Sequence, residues 1–354
     1  MTLVLSNEDV ESVLTMKICM EALEEAYREE AEGRAVNQLR YDTRMPLPER
    51  AERMAHYEFK TMVGIVPKAG VAALRMSSTV NHRPIVHGME RSERLYLAPG
   101  NTTVGLIQLY SLETGEPLAF MPDGVLQGMR VGGTYGLALK YLARENAATL
   151  GLLGSGWQAR FQLAAAGIAR KLKLVKVYSP TREHRERFAR EVGAELGLDI
   201  RPVESAAEAA TDVDILVAAT NAKEPIITGE FVRKGMHVSA VQSELSDQAL
   251  AKADFIAAHS SKRYVIYMGG EGQYGKLSPH RPSMVEHEKL PLLEDVIAGK
   301  IKGRNRDDEI TMFHSGSGMG LQFAAVGARV LKLAKKRGLG KEIPTEWFTQ
   351  TLHT

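Results

Sequence analysis

A glycine-rich turn after a short apolar run is the first stretch whose residue types and spacing suit chemistry. The run Thr149–Leu153 leads into Gly154-Ser155-Gly156-Trp157-Gln158-Ala159, and a helix-forming sequence follows. A strand, a tight turn and a helix N-terminus in this order can bind a phosphate group. Gly154 would allow the turn, Gly156 would let a pyrophosphate approach the backbone, and Ala159 suits close helix packing. Taken alone, the turn also fits an ordinary connection in an α/β protein.

The end of the next predicted strand bears on which dinucleotide would bind. That end is Tyr178-Ser179-Pro180-Thr181-Arg182, and it contains no acidic residue. Proteins that bind NAD usually place an acid there, which holds the ribose 2′-hydroxyl. The hydroxyls of Ser179 and Thr181 and the guanidinium of Arg182 suit a 2′-phosphate better, so the sequence predicts NADP(H) over NAD(H). Ser179 and Pro180 would also cap the following helix, and the two interpretations are compatible.

Three arginines in apolar surroundings could hold a small anion. They are Arg40, Arg75 and Arg130. A buried guanidinium needs an anionic partner, because an unpaired buried charge is costly. One interpretation is a clamp for a substrate carboxylate, which matches the bidentate geometry of arginine. For each arginine taken singly, a structural ion pair is the simpler interpretation.

The predicted elements around the glycine turn alternate between strands and helices. The expected strands after the first are Leu174–Ser179, Ile200–Val203, Asp214–Thr220, His237–Val241 and Asp254–Ala258, and the expected helices are Ala159–Leu172, Thr181–Leu196 and Ala206–Ala210. This alternation predicts a doubly wound parallel sheet of the Rossmann type. A dinucleotide would bind at its first strand, which is where the glycine turn lies.

The first part of the chain has a different pattern. A helix with Cys19, Leu23 and Tyr27 on its apolar face comes early, so Cys19 is expected to be a core residue. The expected strands that follow are Gln38–Asp42, Phe59–Val63, Ala72–Met76, Gly105–Tyr110 and Leu118–Met121. Helices followed by strands predict an α+β domain with a mostly antiparallel sheet. Such a sheet has edges that need covering, so dimerisation through it is plausible.

Two glycine-rich stretches lie later in the chain. Met268–Gly275 is interpreted as a mobile loop, either an active-site lid or an ordinary surface loop. His314–Gly320 precedes a long helix, Leu321–Lys336. This helix entry could bind an anion, but the favoured interpretation is that the chain crosses back there to pack on the first domain.

Composition excludes several classes of protein. The 354 residues suffice for two domains, and the formal net charge of +2 does not favour nucleic acid or a membrane surface. The N-terminus lacks the apolar region of a signal peptide, and no apolar run is long enough to span a bilayer. A single cysteine permits no internal disulfide, which fits the cytoplasm. The histidines form no metal-ligand pattern, so no metal is expected.

Several motifs together resemble the ornithine cyclodeaminase/μ-crystallin family. The motifs are Gln38-Leu39-Arg40, Thr114-Gly115-Glu116-Pro117-Leu118-Ala119, Met129-Arg130, Gly154-Ser155-Gly156-Trp157-Gln158-Ala159, Ala219-Thr220-Asn221 and Phe313-His314-Ser315-Gly316. They occur in the family's order and span nearly the whole chain. The resemblance implies a Rossmann domain at 131–314 inserted into a split α+β domain at 1–130 and 315–354. That split domain would bind substrate and form a homodimer.

The resemblance also implies an activity and a set of site residues. Family members oxidise or reduce a C–N bond beside a carboxylate with a nicotinamide cofactor. By position, Arg40 and Arg130 resemble the arginines that hold the substrate carboxylate. Ala219, Thr220 and Asn221 match a motif at the cofactor site.

Two departures from the family pattern affect the expected chemistry. The family usually has a lysine where Arg75 aligns, and arginine would serve there as a fixed cation, with Lys60 or Lys68 as possible substitutes. Cyclodeaminases carry an aspartate in a loop after the fifth strand. This chain has Val241-Gln242-Ser243-Glu244-Leu245-Ser246-Asp247 instead. Glu244 or Asp247 could serve in place of that aspartate, and Glu244 could also be a helix-start carboxylate. The chain resembles a divergent branch that includes a tyramine oxidase accessory subunit.

The leading hypothesis is an NADPH-linked oxidoreductase that reduces an imino acid or oxidises the matching amino acid. Arg40, Arg75 and Arg130 would orient the carboxylate and favour the iminium electrostatically. One alternative is a cyclodeaminase that converts ornithine or a relative to a cyclic imino acid and ammonia. Another, from a different class, is a non-catalytic NADPH-binding or accessory protein.

Overall fold

A computed structural model gives the architecture of the chain. It describes residues 1–38, 40–86, 88–222, 224–241, 244–259, 265–268, 276–278, 289–314 and 318–351. Apart from Met268, the predicted loop Met268–Gly275 lies outside the described residues, as does much of the motif around Ser315.

The strands and helices follow one another in the order expected for two different sheets. The strands are β1 (Thr2–Val4), β2 (Val36–Asn37), β3 (Tyr41–Pro46), β4 (His56–Val66), β5 (Val71–His82), β6 (Ile85–Val86), β7 (Met89–Glu90), β8 (Glu93–Leu95), β9 (Val104–Ser111), β10 (Pro117–Pro122), β11 (Thr149–Leu153), β12 (Leu174–Tyr178), β13 (Ile200–Pro202), β14 (Ile215–Ala218), β15 (His237–Ala240), β16 (Phe255–Ala258), β17 (Val265–Met268), β18 (Lys276–Ser278), β19 (Thr311–His314) and β20 (Lys341–Ile343). The α-helices are α1 (Asn7–Val13), α2 (Met16–Ala31), α3 (Gly124–Leu142), α4 (Trp157–Ala169), α5 (Arg182–Leu196), α6 (Ala206–Ala210), α7 (Asp247–Leu250), α8 (Leu293–Ile297) and α9 (Gly320–Arg337).

The first sheet is mixed but mostly antiparallel, as predicted. Its main strand order is β18-β17-β3-β4-β5-β9-β10-β1-β20, with β2 on β4 and β8 on β5. Strand β1 runs parallel to β10 and antiparallel to β20, so the two ends of the chain meet in this sheet. A sheet that takes strands from both ends of the chain accords with the split domain. The division at 130/131 stays a prediction, and α3 continues through it.

The second sheet has seven parallel strands with the order β13-β12-β11-β14-β15-β19-β16. This confirms the predicted Rossmann-type fold, with the strand order reversing beside β11. Strand β19 was not predicted as a strand, and it lies between β15 and β16. It has only four residues, and sequence periodicity cannot distinguish so short a buried run from the helix entry assigned there.

The strands and helices differ from the prediction mainly in the residues at which they begin and end. The strand expected over Gln38–Asp42 begins only at Tyr41, and the helix expected to reach Leu172 ends at Ala169. Arg170 is extended after that helix, and its guanidinium donates to the carbonyls of Arg144 and Ala143, both at 2.7 Å. Tertiary hydrogen bonds of this kind are not encoded in local propensity.

The first core forms where α9 packs on one face of the antiparallel sheet and α2 and α3 pack against α9. Leu23, Tyr27 and Phe323 are completely buried there. Cys19 is also completely buried, which confirms it as a core residue, and burial raises the pKa of its thiol. Strand β5 alternates buried and half-buried positions, and this register places Arg75 in the buried row. Within the described residues, no helix is long and apolar enough to cross a membrane.

Two glycines let α9 approach the sheet closely enough to carry its side chains into the cleft between the sheets. A Cβ on Gly64 of β4 would overlap the backbone of Gly320 and Leu321, and a Cβ on Gly320 would overlap Val63. The N-terminus of α9 therefore rests directly on β4, just after Gly318.

We expect Gly64→Ala to destabilise the fold by about 1–3 kcal/mol, because backbone atoms must shift to admit the methyl group. The measurement is the free energy of unfolding in urea. Gly167→Ala is the matched control, since Gly167 lies in α4 with only one atom within 4 Å of its Cβ position, at 3.9 Å. That change should stabilise the helix by about 0.5–1 kcal/mol. Equal stability of the two variants would contradict this account of the contact.

Candidate active site

A large cavity lies between the two sheets and receives side chains from both. Its volume is about 1280 Å³. Arg40, Arg130 and Gln127 line it from the first sheet and α3, and Trp157 and Asn221 line it from the parallel sheet. The cavity thus brings the glycine turn and two of the three predicted arginines to one space.

The glycine turn has the shape that a phosphate site needs. Gly154 has φ +111°, its N–H donates to the Tyr178 carbonyl at 2.8 Å, and a Cβ there would overlap the Ala219 carbonyl. Gly156 is the N-cap of α4, and no atom lies within 4 Å of its Cβ position. Open space therefore faces the N-terminus of a 13-residue helix, where free N–H groups and the helix dipole favour an anion. These residues fit the pyrophosphate of a dinucleotide.

The end of β12 is hydroxyl-rich, as the sequence indicated. The buried Ser179 hydroxyl accepts a hydrogen bond from the Ser155 hydroxyl at 2.8 Å, which ties the two turns together. Arg182 is exposed and donates to Glu186 at 2.7 Å. The idea that Ser179 and Pro180 cap the next helix is wrong, because Thr181 occupies the N-cap position. Proline removes a donor and fixes the backbone just before that cap.

Ala219, Thr220 and Asn221 follow β14 at the same edge of the parallel sheet. The Ala219 N–H donates to the Leu153 carbonyl at 2.8 Å, and Asn221 lines the cavity. This segment therefore lies beside the glycine turn. Arg91, which lies between β7 and β8, forms an isolated antiparallel β-bridge with Ala222, so the first part of the chain contacts the parallel-sheet domain here.

Glu244 is completely buried behind this segment. Its Oε1 accepts from the Thr220 N–H at 3.2 Å and from the Thr220 hydroxyl at 3.3 Å. Glu244 is not among the residues that line the cavity. Asp247 is the first residue of α7, and Ser246 is its N-cap. The structure thus places Glu244 where it positions the Thr220 loop, and Asp247 where a helix-start carboxylate is stabilising.

Arg75 is neutralised within the protein. Its side chain is buried, and its Nε and one terminal nitrogen donate to Asp123 at 2.9 and 2.5 Å. Burial lowers the pKa of Arg75, and the Asp123 carboxylate opposes that shift. The structural ion pair that the sequence left open is therefore what the structure shows for Arg75.

Arg40 is also paired with a carboxylate. Its guanidinium lies 2.9 Å from Asp42, whose side chain is completely buried. Lys60 faces Asp42 across the sheet and lies 2.6 Å from Glu58. Burial lowers the pKa of Lys60, and the nearby charge of Arg40 lowers it further. Arg40 also lines the cavity, so a ligand there could contact the guanidinium that Asp42 partly neutralises.

The alternative lysine, Lys68, is at the other end of β4. It lies in the turn between β4 and β5, where its backbone N–H donates to Glu29 at 3.0 Å. It lines a separate cavity of about 580 Å³, on the side of α2 and α9. Of the two lysines, Lys60 is therefore the one near the predicted arginines.

Arg130 differs from the other two arginines. It is buried, and its terminal nitrogens donate to the amide oxygens of Gln322 at 2.7 Å and Gln127 at 3.0 Å. Within the described ranges, no carboxylate lies at ion-pair distance from Arg130, and its Nε has no hydrogen-bond partner. Burial lowers the pKa of Arg130, and the positive charge of Arg75 lowers it further. Binding of an anion would therefore stabilise the guanidinium of Arg130 more than a guanidinium that already has a carboxylate partner.

An aromatic ring supports both inner arginines. The guanidinium carbons of Arg75 and Arg130 lie 5.4 and 5.0 Å from the centroid of Phe323 on α9. The negative face of the ring partly offsets the positive charge that these two groups concentrate.

Sequence reasoning missed a buried polar network behind Arg130. The Nε2 of Gln322 lies 2.8 Å from the Tyr27 hydroxyl, 2.7 Å from the Thr134 hydroxyl and 3.0 Å from His259 Nε2. Gln127 was missed as well: it lies one helical turn before Arg130 on α3, and the sequence predicts no helix there. The other members had no sequence signal, because α2, α3, α9 and the end of β16 bring them together only in the fold.

Comparisons with known proteins identify the family of the chain. A family model for the ornithine cyclodeaminase/mu-crystallin family matches residues 1–336. The Delta(1)-pyrroline-2-carboxylate reductase of Bacillus cereus is 33% identical over 252 residues, which cover 69% of this chain and 75% of that protein.

Solved structures show the same fold over nearly the whole chain. One is Thermococcus litoralis Delta(1)-pyrroline-2-carboxylate reductase in complex with NADH and L-proline, with a TM-score of 0.77 and 27% identity over 97% of this chain and 100% of that one. Another is an archaeal alanine dehydrogenase dimer with bound NAD, with a TM-score of 0.75 and 28% identity over 97% of this chain and 99% of that one. The chain belongs to the ornithine cyclodeaminase/mu-crystallin family.

Proposed function

We propose that the protein is a cytoplasmic, nicotinamide-dependent oxidoreductase that reduces an imino acid, or oxidises the matching amino acid, at the C–N bond beside a carboxylate. The observation that carries the proposal is Arg130. It is a buried cation with only neutral amide partners among the described residues, and it faces the cavity into which the glycine turn opens. A carboxylate is the anion that a planar guanidinium binds best in such a place.

The chain's own residues would bind and orient the substrate. Arg130 and Arg40 would hold the carboxylate, and Arg75 would act from behind as a fixed cation paired with Asp123. A dinucleotide with its pyrophosphate at the glycine turn would supply or accept hydride through its nicotinamide. By fixing the carboxylate, the arginines would hold the C=N carbon in one place in the cavity, and such positioning contributes a large part of the rate in reactions of this kind.

The comparisons support an imino acid substrate. The Bacillus cereus relative is named a pyrroline-2-carboxylate reductase, and the Thermococcus protein was solved with NADH and L-proline. Both names refer to small molecules with a carboxylate next to a ring nitrogen. We propose the same class of substrate for this chain.

The arrangement near Glu244 favours the reductase over a cyclodeaminase. A cyclodeaminase of this family uses an aspartate in the loop after the fifth strand, and Asp247 begins a helix here. Glu244 is buried against Thr220 and is absent from the cavity lining. A non-catalytic, cofactor-binding role is the remaining alternative, and the lack of any turnover would indicate it.

We also propose that the phosphorylated cofactor is preferred. The strand end at Ser179 has hydroxyls and the exposed guanidinium of Arg182 in place of an acid. Arg182 is held by Glu186 at the surface, so it can turn toward a 2′-phosphate at little cost.

A homodimer is proposed from the exposed apolar side chains of the first sheet. Tyr41 and Met45 of β3, Val104 of β9 and Leu97 beyond β8 are all exposed. A second copy of the chain could cover exposed apolar side chains of this kind. The archaeal alanine dehydrogenase of the same fold is a dimer.

The first expectation concerns activity. The wild type should oxidise NADPH or NADH with pyrroline- or piperideine-2-carboxylate, and Arg130→Ala should lower kcat/KM by about 10²–10³-fold because two charge-assisted hydrogen bonds are lost. Cofactor affinity should stay unchanged. The control is Arg160→Ala, since Arg160 also lines the cavity but is exposed and paired with Glu195. Wild-type activity in Arg130→Ala would refute the carboxylate role, and ammonia and proline formed from ornithine would indicate the cyclodeaminase.

Cofactor choice can be measured by the dissociation constants of NADPH and NADH. We expect tighter NADPH binding, and we expect Arg182→Ala to weaken NADPH by about fivefold or more with little effect on NADH. Arg190→Ala is the matched control, because Arg190 is an exposed arginine on the same helix. Tighter NADH binding by the wild type would rule out the NADPH preference.

Light scattering tests the oligomeric state. The mass in solution should be about twice the 38.9 kDa of the chain. Met45→Glu should shift the protein toward monomer because a charge would enter the apolar contact. Ile168→Glu, at an exposed apolar position on α4, should leave the mass unchanged. A wild-type monomer at micromolar concentration would disprove the dimer.

A further inference from the structure

The partners of Arg130 are unusual among the three arginines of this site. Arg75 donates to the carboxylate of Asp123, and Arg40 to that of Asp42. Arg130 instead donates to two amide oxygens, from Gln322 on α9 and from Gln127, one turn earlier on α3. Amide oxygens orient a guanidinium without cancelling its charge.

The geometry leaves a defined side of Arg130 available. An arginine has five N–H groups, and the two glutamines accept one each from its terminal nitrogens. Phe323 stacks on the group, and the Cβ position of Gly318 would lie 3.1 Å from both terminal nitrogens. The buried Nε has no hydrogen-bond partner among the described residues, and each terminal nitrogen keeps one N–H that neither glutamine accepts.

The orientation of Gln322 is fixed by what surrounds it. Arg130 only donates, so the amide oxygen of Gln322 must face it. The amide nitrogen then faces the hydroxyls of Tyr27 and Thr134, and it faces His259 Nε2 at 3.0 Å. The Thr134 hydroxyl in turn donates to the Arg130 carbonyl at 2.9 Å, which closes the network on the same residue. Gln322 is completely buried, so this orientation is held on every side.

We propose that Gln127 and Gln322 are positioning residues that aim Arg130 into the cavity while leaving its charge for the substrate carboxylate. This rests on the proposed function. The contrast with Arg75 and Arg40 carries it, since those two arginines have carboxylate partners while α3 and α9 supply only amides to the third. A glutamate at either position would make an internal ion pair and compete with the substrate.

The test is Gln127→Glu, because Gln127 is only half-buried and the change is isosteric. The melting temperature should stay the same or rise, because a buried cation gains a counter-ion. The KM for the imino acid should rise by about tenfold or more, with kcat and NADPH affinity nearly unchanged, because the effect is on ground-state binding. Gln127→Leu should also raise KM but should lower the melting temperature. If Gln127 served only the stability of the fold, the two variants would not both raise KM while differing in the direction of their effect on the melting temperature.

Gln108→Glu is the matched control. Gln108 is half-buried on β9, and its amide oxygen accepts from the Tyr110 hydroxyl at 2.8 Å, so no guanidinium is involved. Its KM should equal that of the wild type. An unchanged KM in Gln127→Glu, with active wild type, overturns the inference and leaves the proposed function standing.

Binding measurements separate the inference from the proposed function. If the wild type turns over no imino acid, the proposed function fails, and calorimetric titration of L-proline in the presence of NADPH takes the place of KM. Weaker binding to Gln127→Glu than to the wild type supports the positioning role. Equal affinities, including no binding to either protein, overturn it.

Discussion

The buried guanidinium of Arg130 is the constraint on which the rest of the site depends. Its burial is costly unless an anion or several acceptors compensate for the lost water. The described structure supplies two amide oxygens and one aromatic face, but no carboxylate at ion-pair distance. An anionic ligand can therefore still form a favourable ion pair with this guanidinium. Helices α3 and α9 must therefore hold their relative positions, since each contributes one of the two glutamines.

The close contact between α9 and β4 serves that requirement. Gly320 rests on Gly64, and two residues before it Gly318 lies against Arg130. The same contact brings Phe323 beneath Arg75 and Arg130. The antiparallel sheet and α3 thus provide the cations on one wall of the cavity. The parallel sheet provides the glycine turn and the helix N-terminus on the other, so an anionic substrate and a dinucleotide would meet between them.

Much of this could be predicted from the sequence where the signal was local. The glycine turn, the alternating strands and the apolar face of α2 depend on residues close together in the chain, and the structure has them as predicted. Strand β19 was missed, because four buried residues carry no periodicity. The pairing of Arg75 with Asp123 joins residues 48 apart, and the pairing of Arg130 with Gln322 joins residues 192 apart. Sequence could indicate that the arginines need partners, but only the fold distinguishes a carboxylate partner from an amide.

The most direct test of the central claim is a crystal structure of the protein with NADPH and L-proline bound. The account predicts that the proline carboxylate accepts hydrogen bonds from Arg130 while Gln127 and Gln322 keep their contacts with its terminal nitrogens. The ring carbon that bears the carboxylate would then face the nicotinamide. A carboxylate bound elsewhere, with Arg130 making no contact to it, would contradict the account.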